Sequence, residues 1–102
     1  MTNPSKKPQQ LQIKVPEKIA DGEYANLAII THSAAEFVMD FVRIMPGSPT
    51  ANVQSRIIMT PSHTKALLRA LEQNIAKYEN EHGEIRTIEP MRMPNVDGKM
   101  PN

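Results

Sequence analysis

The sequence predicts an α+β domain: a mainly antiparallel sheet of about four strands with one long C-terminal helix packed on one face. Three observations lead there. Four short runs rich in β-branched and aromatic residues follow one another between residues 11 and 60. Turn residues separate them, Asp21-Gly22 first and Pro46-Gly47-Ser48-Pro49 later. A single helical stripe then begins at a cap-and-proline signal, Thr60-Pro61.

The elements can be justified in order. Leu11, Ile13 and Val15 alternate with Gln12 and Lys14, which reads as a short half-buried strand ended by Pro16. Tyr24 to His32 (YANLAIITH) is the second strand, and Ser33-Ala34-Ala35 a short connection. Glu36 to Met45 (EFVMDFVRIM) is the third strand and Asn52 to Thr60 (NVQSRIIMT) the fourth. In the helix, Leu67, Leu71, Ile75 and Tyr78 recur at i, i+4, i+8 and i+11, widened by Leu68 and Ala70. His82 suits a last turn and Gly83 a left-handed C-cap, which sets the helix at 61–82. Glu84 to Ile88 could add a short edge strand.

Residues 11–88 are thus expected to be the folded domain. The flanks are expected to be disordered tails. Residues 1–10 carry Pro4 and Pro8, and residues 89–102 carry Pro90, Pro94, Gly98 and Pro101 without periodicity. Met91, Arg92 and Met93 are the exception, soft apolar side chains beside a cation that could dock on a partner.

Pairing the third and fourth strands odd with odd puts Phe37, Met39, Phe41, Val53, Ile57 and Met59 on one face. The second strand, taken in the same phase, adds Leu27 and Ile29. That face is almost wholly apolar and is assigned to the core beneath the helix. The opposite face carries Ile30, Val38, Val42, Ile44 and Ile58 around Asp40, Gln54, Arg56 and Tyr24. One helix covers one face of a sheet. The second face is too apolar for water and is expected to meet another copy or another protein. Ile30, Val38, Asp40, Val42, Ile44, Arg56 and Ile58 are therefore the candidate partner-binding face. Asp40 is expected to pair with Arg56 or Arg43. A slip of one residue would exchange the faces.

Composition narrows the function. The chain has 102 residues, 12 Lys or Arg against 11 Asp or Glu, and a net charge of +1, enough for one domain but not for a dedicated phosphate binder. Direct sequence-specific binding to nucleic acid is not expected. With 0 cysteines there is no disulfide, thiolate metal site or Cys nucleophile, which suits a reducing, cytoplasmic setting. No apolar run reaches the ~20 residues of a membrane span.

The residues with chemical potential have local explanations. His32, His63 and His82 lack metal-ligand spacing, and His63 and His82 belong to the helix ends. Neither Ser33 nor Ser62 lies in a G-x-S-x-G context. Thr31, His32 and Ser33 are adjacent on a strand, so successive side chains point to opposite faces. Glu36 and Asp40 form no acid–base pair with Asp21 or Glu23. Gly22, Gly47, Gly83 and Gly98 are isolated, so no phosphate loop exists. No catalytic, cofactor or metal residue is assigned.

The blocks YANLAIITHS (24–33), EFVMDFVRIMPG (36–47), SRIIMTP (55–61) and LLRALEQNIAKYENEHGEI (67–85) resemble, in that order, a small family of bacterial and archaeal proteins. That family is catalogued as a domain of unknown function. The resemblance covers residues 11–88 and carries over no catalytic or ligand residue. In one bacterial phylum such proteins are encoded beside the large subunits of RNA polymerase, which implies an accessory role in transcription. The expected function is a non-catalytic interaction protein, with RNA polymerase as the implied larger complex. A homo-oligomeric, chaperone-like module is the alternative. A small enzyme using Asp40 or His32 is the least favoured.

Overall fold

A computed structural model describes residues 10–88. The tails, including Met91, Arg92 and Met93, lie outside the described residues, apart from Gln10. The order is α1 (Glu17–Ala20), β1 (Leu27–His32), β2 (Phe37–Arg43), β3 (Asn52–Met59) and α2 (Pro61–His82). The three strands form one antiparallel meander, β1-β2-β3. The chain is α+β, but among the described residues its sheet has three strands where four were expected.

The missing strand is Leu11–Val15. It alternates correctly, yet no strand forms there and Leu11 and Ile13 stand 84% and 86% exposed. Alternation makes a strand possible; a neighbour's backbone makes it real. Pro16 instead starts the single turn of α1, where Ile19 N–H reaches Pro16 C=O at 2.9 Å. Glu84 to Ile88 likewise forms no strand.

Turn chemistry shapes the first hairpin. Ser33 Oγ accepts from the Ala35 and Glu36 N–H groups at 3.1 and 3.3 Å. Ser33 N–H donates to Glu36 C=O at 2.9 Å. The turn therefore includes Glu36, and His32 faces Phe37. Residues 33–36 lie between these partners, so even positions of β1 oppose odd positions of β2. This corrects the expected phase. Ile30 lies across from Met39, while Leu27 faces Val42 and Ile29 faces Asp40.

The second hairpin pairs odd with odd, from Phe37–Met59 to Phe41–Ser55. A bulge then shifts the register, so Val42 meets Val53. Val53 is thereby moved off the odd face.

Helix α2 has local stop and start signals. Thr60 Oγ1 accepts from His63 N–H at 3.3 Å, and Pro61 occupies the first turn. Gly83 ends it at φ 95°, ψ 168°. That is an extended, positive-φ conformation rather than the expected left-handed cap, and it is one that almost only glycine adopts.

The helix does not pack on the sheet. Substantial packing between elements joins β1 to β2 and β2 to β3. Leu67, Leu68, Leu71, Ile75 and Tyr78 are all exposed. A helix lying on the odd face, expected from sequence, is not what the chain shows. Among the described residues the buried core is Met39 and Val42, 3% and 4% exposed. They point to opposite faces of β2, the central strand.

Candidate functional site: a sheet face centred on an ion pair

The corrected register regroups the candidate face. β1 contributes Leu27 and Ile29, β2 contributes Val38, Asp40 and Val42, and β3 contributes Val53, Arg56 and Ile58. Six of the seven residues assigned from sequence remain compatible with one side. Ile30 does not; it joins Met39 and Ile57 on the other face. Ile44 continues the alternation of β2 just past the end of the strand.

Asn26 holds that end in place. Its Nδ2 donates to Ile44 C=O at 3.0 Å, and its Oδ1 accepts from Ile44 N–H at 2.8 Å. Its own N–H reaches Val42 C=O at 3.0 Å. The side chain thus supplies the two backbone partners that one more strand residue would have given. Sequence reasoning missed this residue; an Asn directly before a β-rich run was the available signal.

Asp40 and Arg56 are directly opposed in the register. Arg56 Nε donates to Asp40 Oδ1 at 2.7 Å and Nη2 donates to Oδ2 at 2.9 Å. This is the bidentate fork that fixes a guanidinium against a carboxylate. The Asp40 side chain is 14% exposed and that of Arg56 62%. The hydrogen bond from Arg56, with its charge, holds the Asp40 carboxyl below the ordinary carboxylate range, against the opposing effect of desolvation. The same bond raises Arg56. Arg56, not Arg43, is the partner. Both charges are satisfied within the chain, so the face presents a neutralised centre ringed by aliphatic side chains.

The three histidines and Ser33 have local structural roles. His32 stacks on Phe37 with ring centroids 5.1 Å apart. His82 lies 4.8 Å from Tyr78 on α2, and His63 donates its backbone N–H to the Thr60 cap. Ser33 organises the first hairpin turn. Among the described residues no three of His, Asp and Glu converge as metal ligands would. On the opposite face, the segment after α1 leaves a shallow groove between Ile19 and Gly22 on one side and Phe41 and Ile57 on the other. Among the described residues, no helix is long and apolar enough to cross a membrane.

The family description "Protein of unknown function (DUF3467)" matches residues 1–87. The chain belongs to this family. The match reaches the first residue, whereas the resemblance read from the sequence was expected to begin at Leu11. No curated protein and no solved structure matches the chain.

Proposed function

We propose that this DUF3467 protein is a non-catalytic interaction module that completes its hydrophobic core on a larger assembly. One observation carries the reading: among the described residues, two side chains are buried, while Ile30, Val53, Ile57, Ile58 and the helix stripe stand exposed. A domain of this size ordinarily gains its stability from apolar burial at about 25 cal/mol per Å². Leaving that surface in water forfeits the gain; on the Asp40–Arg56 face the exposed share is Val53 and Ile58, and exposed apolar surface rimmed by polar groups marks interaction sites.

The face around Asp40 and Arg56 is the proposed partner surface. The ion pair lets the partner be largely apolar, because neither charge needs a counterion from outside. Leu27, Ile29, Val53 and Ile58 then supply contact area around the buried Val42. The chain's near-zero charge favours a protein partner over nucleic acid. RNA polymerase, which the family resemblance implies, is the first assembly to test, with the cytoplasm as the setting. The tail residues Met91, Arg92 and Met93 would be accessory anchors.

The test is affinity capture of a chromosomally tagged copy, followed by mass spectrometry. Stoichiometric recovery of polymerase subunits, lost on Val53→Asp or Ile58→Asp, is the expected result. Recovery of the protein alone refutes the polymerase assignment. Recovery of many unrelated unfolded clients would favour the chaperone-like alternative instead.

A further inference from the structure

The exposed stripe of α2 has a finer grain than a generic apolar face. Thr64, Leu68, Leu71, Ile75, Tyr78 and His82 follow one another at alternating steps of four and three. That is the a/d spacing of a two-stranded helix seam, with Leu68, Ile75 and His82 at a and Thr64, Leu71 and Tyr78 at d. The helix has 22 residues, or about 33 Å at 1.5 Å per residue, and so carries three such repeats. None of these side chains is buried in the single chain.

We infer that α2 pairs with α2 of a second copy, antiparallel, making the protein a homodimer through its helix. The flanking charges choose both the occupant and the direction. Lys65, Glu72 and Glu79 occupy the e positions. When two such seams run antiparallel, Leu71 of one copy meets Ile75 of the other, and Leu68 meets Tyr78. Lys65 of each copy then lies opposite Glu79 of the other, which gives two symmetric ion pairs. Glu79 uses Oε2 to accept the Ile85 N–H at 2.9 Å, so Oε1 remains for the lysine. The two Glu72 residues face each other at the dyad, on the solvent side, a single like-charge contact against two favourable ones. A parallel pair would set Glu72 against Leu67 and Glu79 against Asn74, with no opposite charges meeting. It would also align the two helix dipoles.

This inference is independent of the partner proposed for the sheet, because the helix seam and the Asp40–Arg56 face are separate surfaces. It is tested on the purified full chain, without any other protein. Sedimentation equilibrium is expected to give a dimer, and Leu71→Glu a monomer that keeps its helical circular dichroism. Lys65→Glu and Glu79→Lys should each weaken the dimer about 3–10-fold, and the double exchange should restore it. Because the chain has 0 cysteines, placed thiols report geometry directly. Glu72→Cys copies should be joined to each other by a short bismaleimide. Lys65→Cys copies should be joined to Glu79→Cys copies but not to themselves. A wild-type chain that stays monomeric overturns the inference. So does a dimer whose Glu72→Cys copies do not cross-link, the outcome if α2 lies instead on the partner's sheet.

Discussion

The sheet and the helix achieve order by different means. The three strands hold one another through backbone pairing, a Ser33-organised turn, the Asn26 clasp and the Asp40–Arg56 fork. All but the Ser33 turn join residues far apart in the chain. Helix α2 is bounded by its own ends, Thr60 and Gly83, and its apolar side chains stand exposed. A helix satisfies its backbone within itself, so it can form without a neighbour, but it then carries an unsatisfied seam. The contrast teaches that backbone order and core formation are separable: among the described residues the strands and helix form, while only Met39 and Val42 are buried.

The largest effect should fall on the sheet. Met39→Ala is expected to cost about 2–5 kcal/mol in urea unfolding, because it empties one of the two buried positions. If the cost were as small as at an exposed site, the sheet would hold no core of its own.

Leu71→Ala should separate the two regions more sharply. In the dilute single chain, where Leu71 is 53% exposed, the change should be close to neutral, since Ala is the better helix former. At concentrations where copies associate, it should lower the melting temperature. A loss independent of concentration would mean that α2 packs within its own chain.

Gly83→Ala comes next. No heavy atom would crowd the added Cβ, so the strain is purely conformational, about 1–3 kcal/mol. Thermal melting followed at 222 nm would measure it. Thr60→Ala, which removes the cap acceptor for His63 N–H, should cost about 1 kcal/mol by the same measurement.

The smallest expected effect belongs to acid. The folded carboxyl of Asp40 lies below its ordinary value, so its contribution is present above about pH 4 and fades as pH falls through the folded value. The stability difference between the wild type and Asp40→Asn should therefore shrink on acidification below pH 4. A difference that stayed constant would show that the fork adds nothing through ionisation.

These contrasts also explain what was legible in the sequence. The bounds of α2 were, because capping and a proline at the first helical position are local chemistry. The three strands were, because alternation is local too. The phase of β1 was not. A connection of Ser33, Ala34 and Ala35 would keep the parity of the strands, whereas the Ser33 hydroxyl draws Glu36 into the turn and reverses it. One residue of turn length moved Ile30 across the sheet. The bulge beside Val42 did the same to Val53. Leu11–Val15 failed for a related reason, since a pattern of side chains cannot reveal whether another strand lies within hydrogen-bonding reach. The pairing of Asp40 with Arg56 was legible because it depends only on the second hairpin.

The same bulge bears on how the molecule avoids polymerising. Among the described residues β1 and β3 are the sheet's two outer strands, and an outer strand offers its spare N–H and C=O groups to any passing chain. On β3 the extra residue breaks the regular spacing of those groups part-way along, so an incoming strand could follow the rim for only part of its length. On β1 the rim is only six residues long. Lateral growth into fibrils is therefore discouraged on both sides, and crowded molecules are steered toward contacts through side chains, which can be selective, rather than through backbone, which cannot.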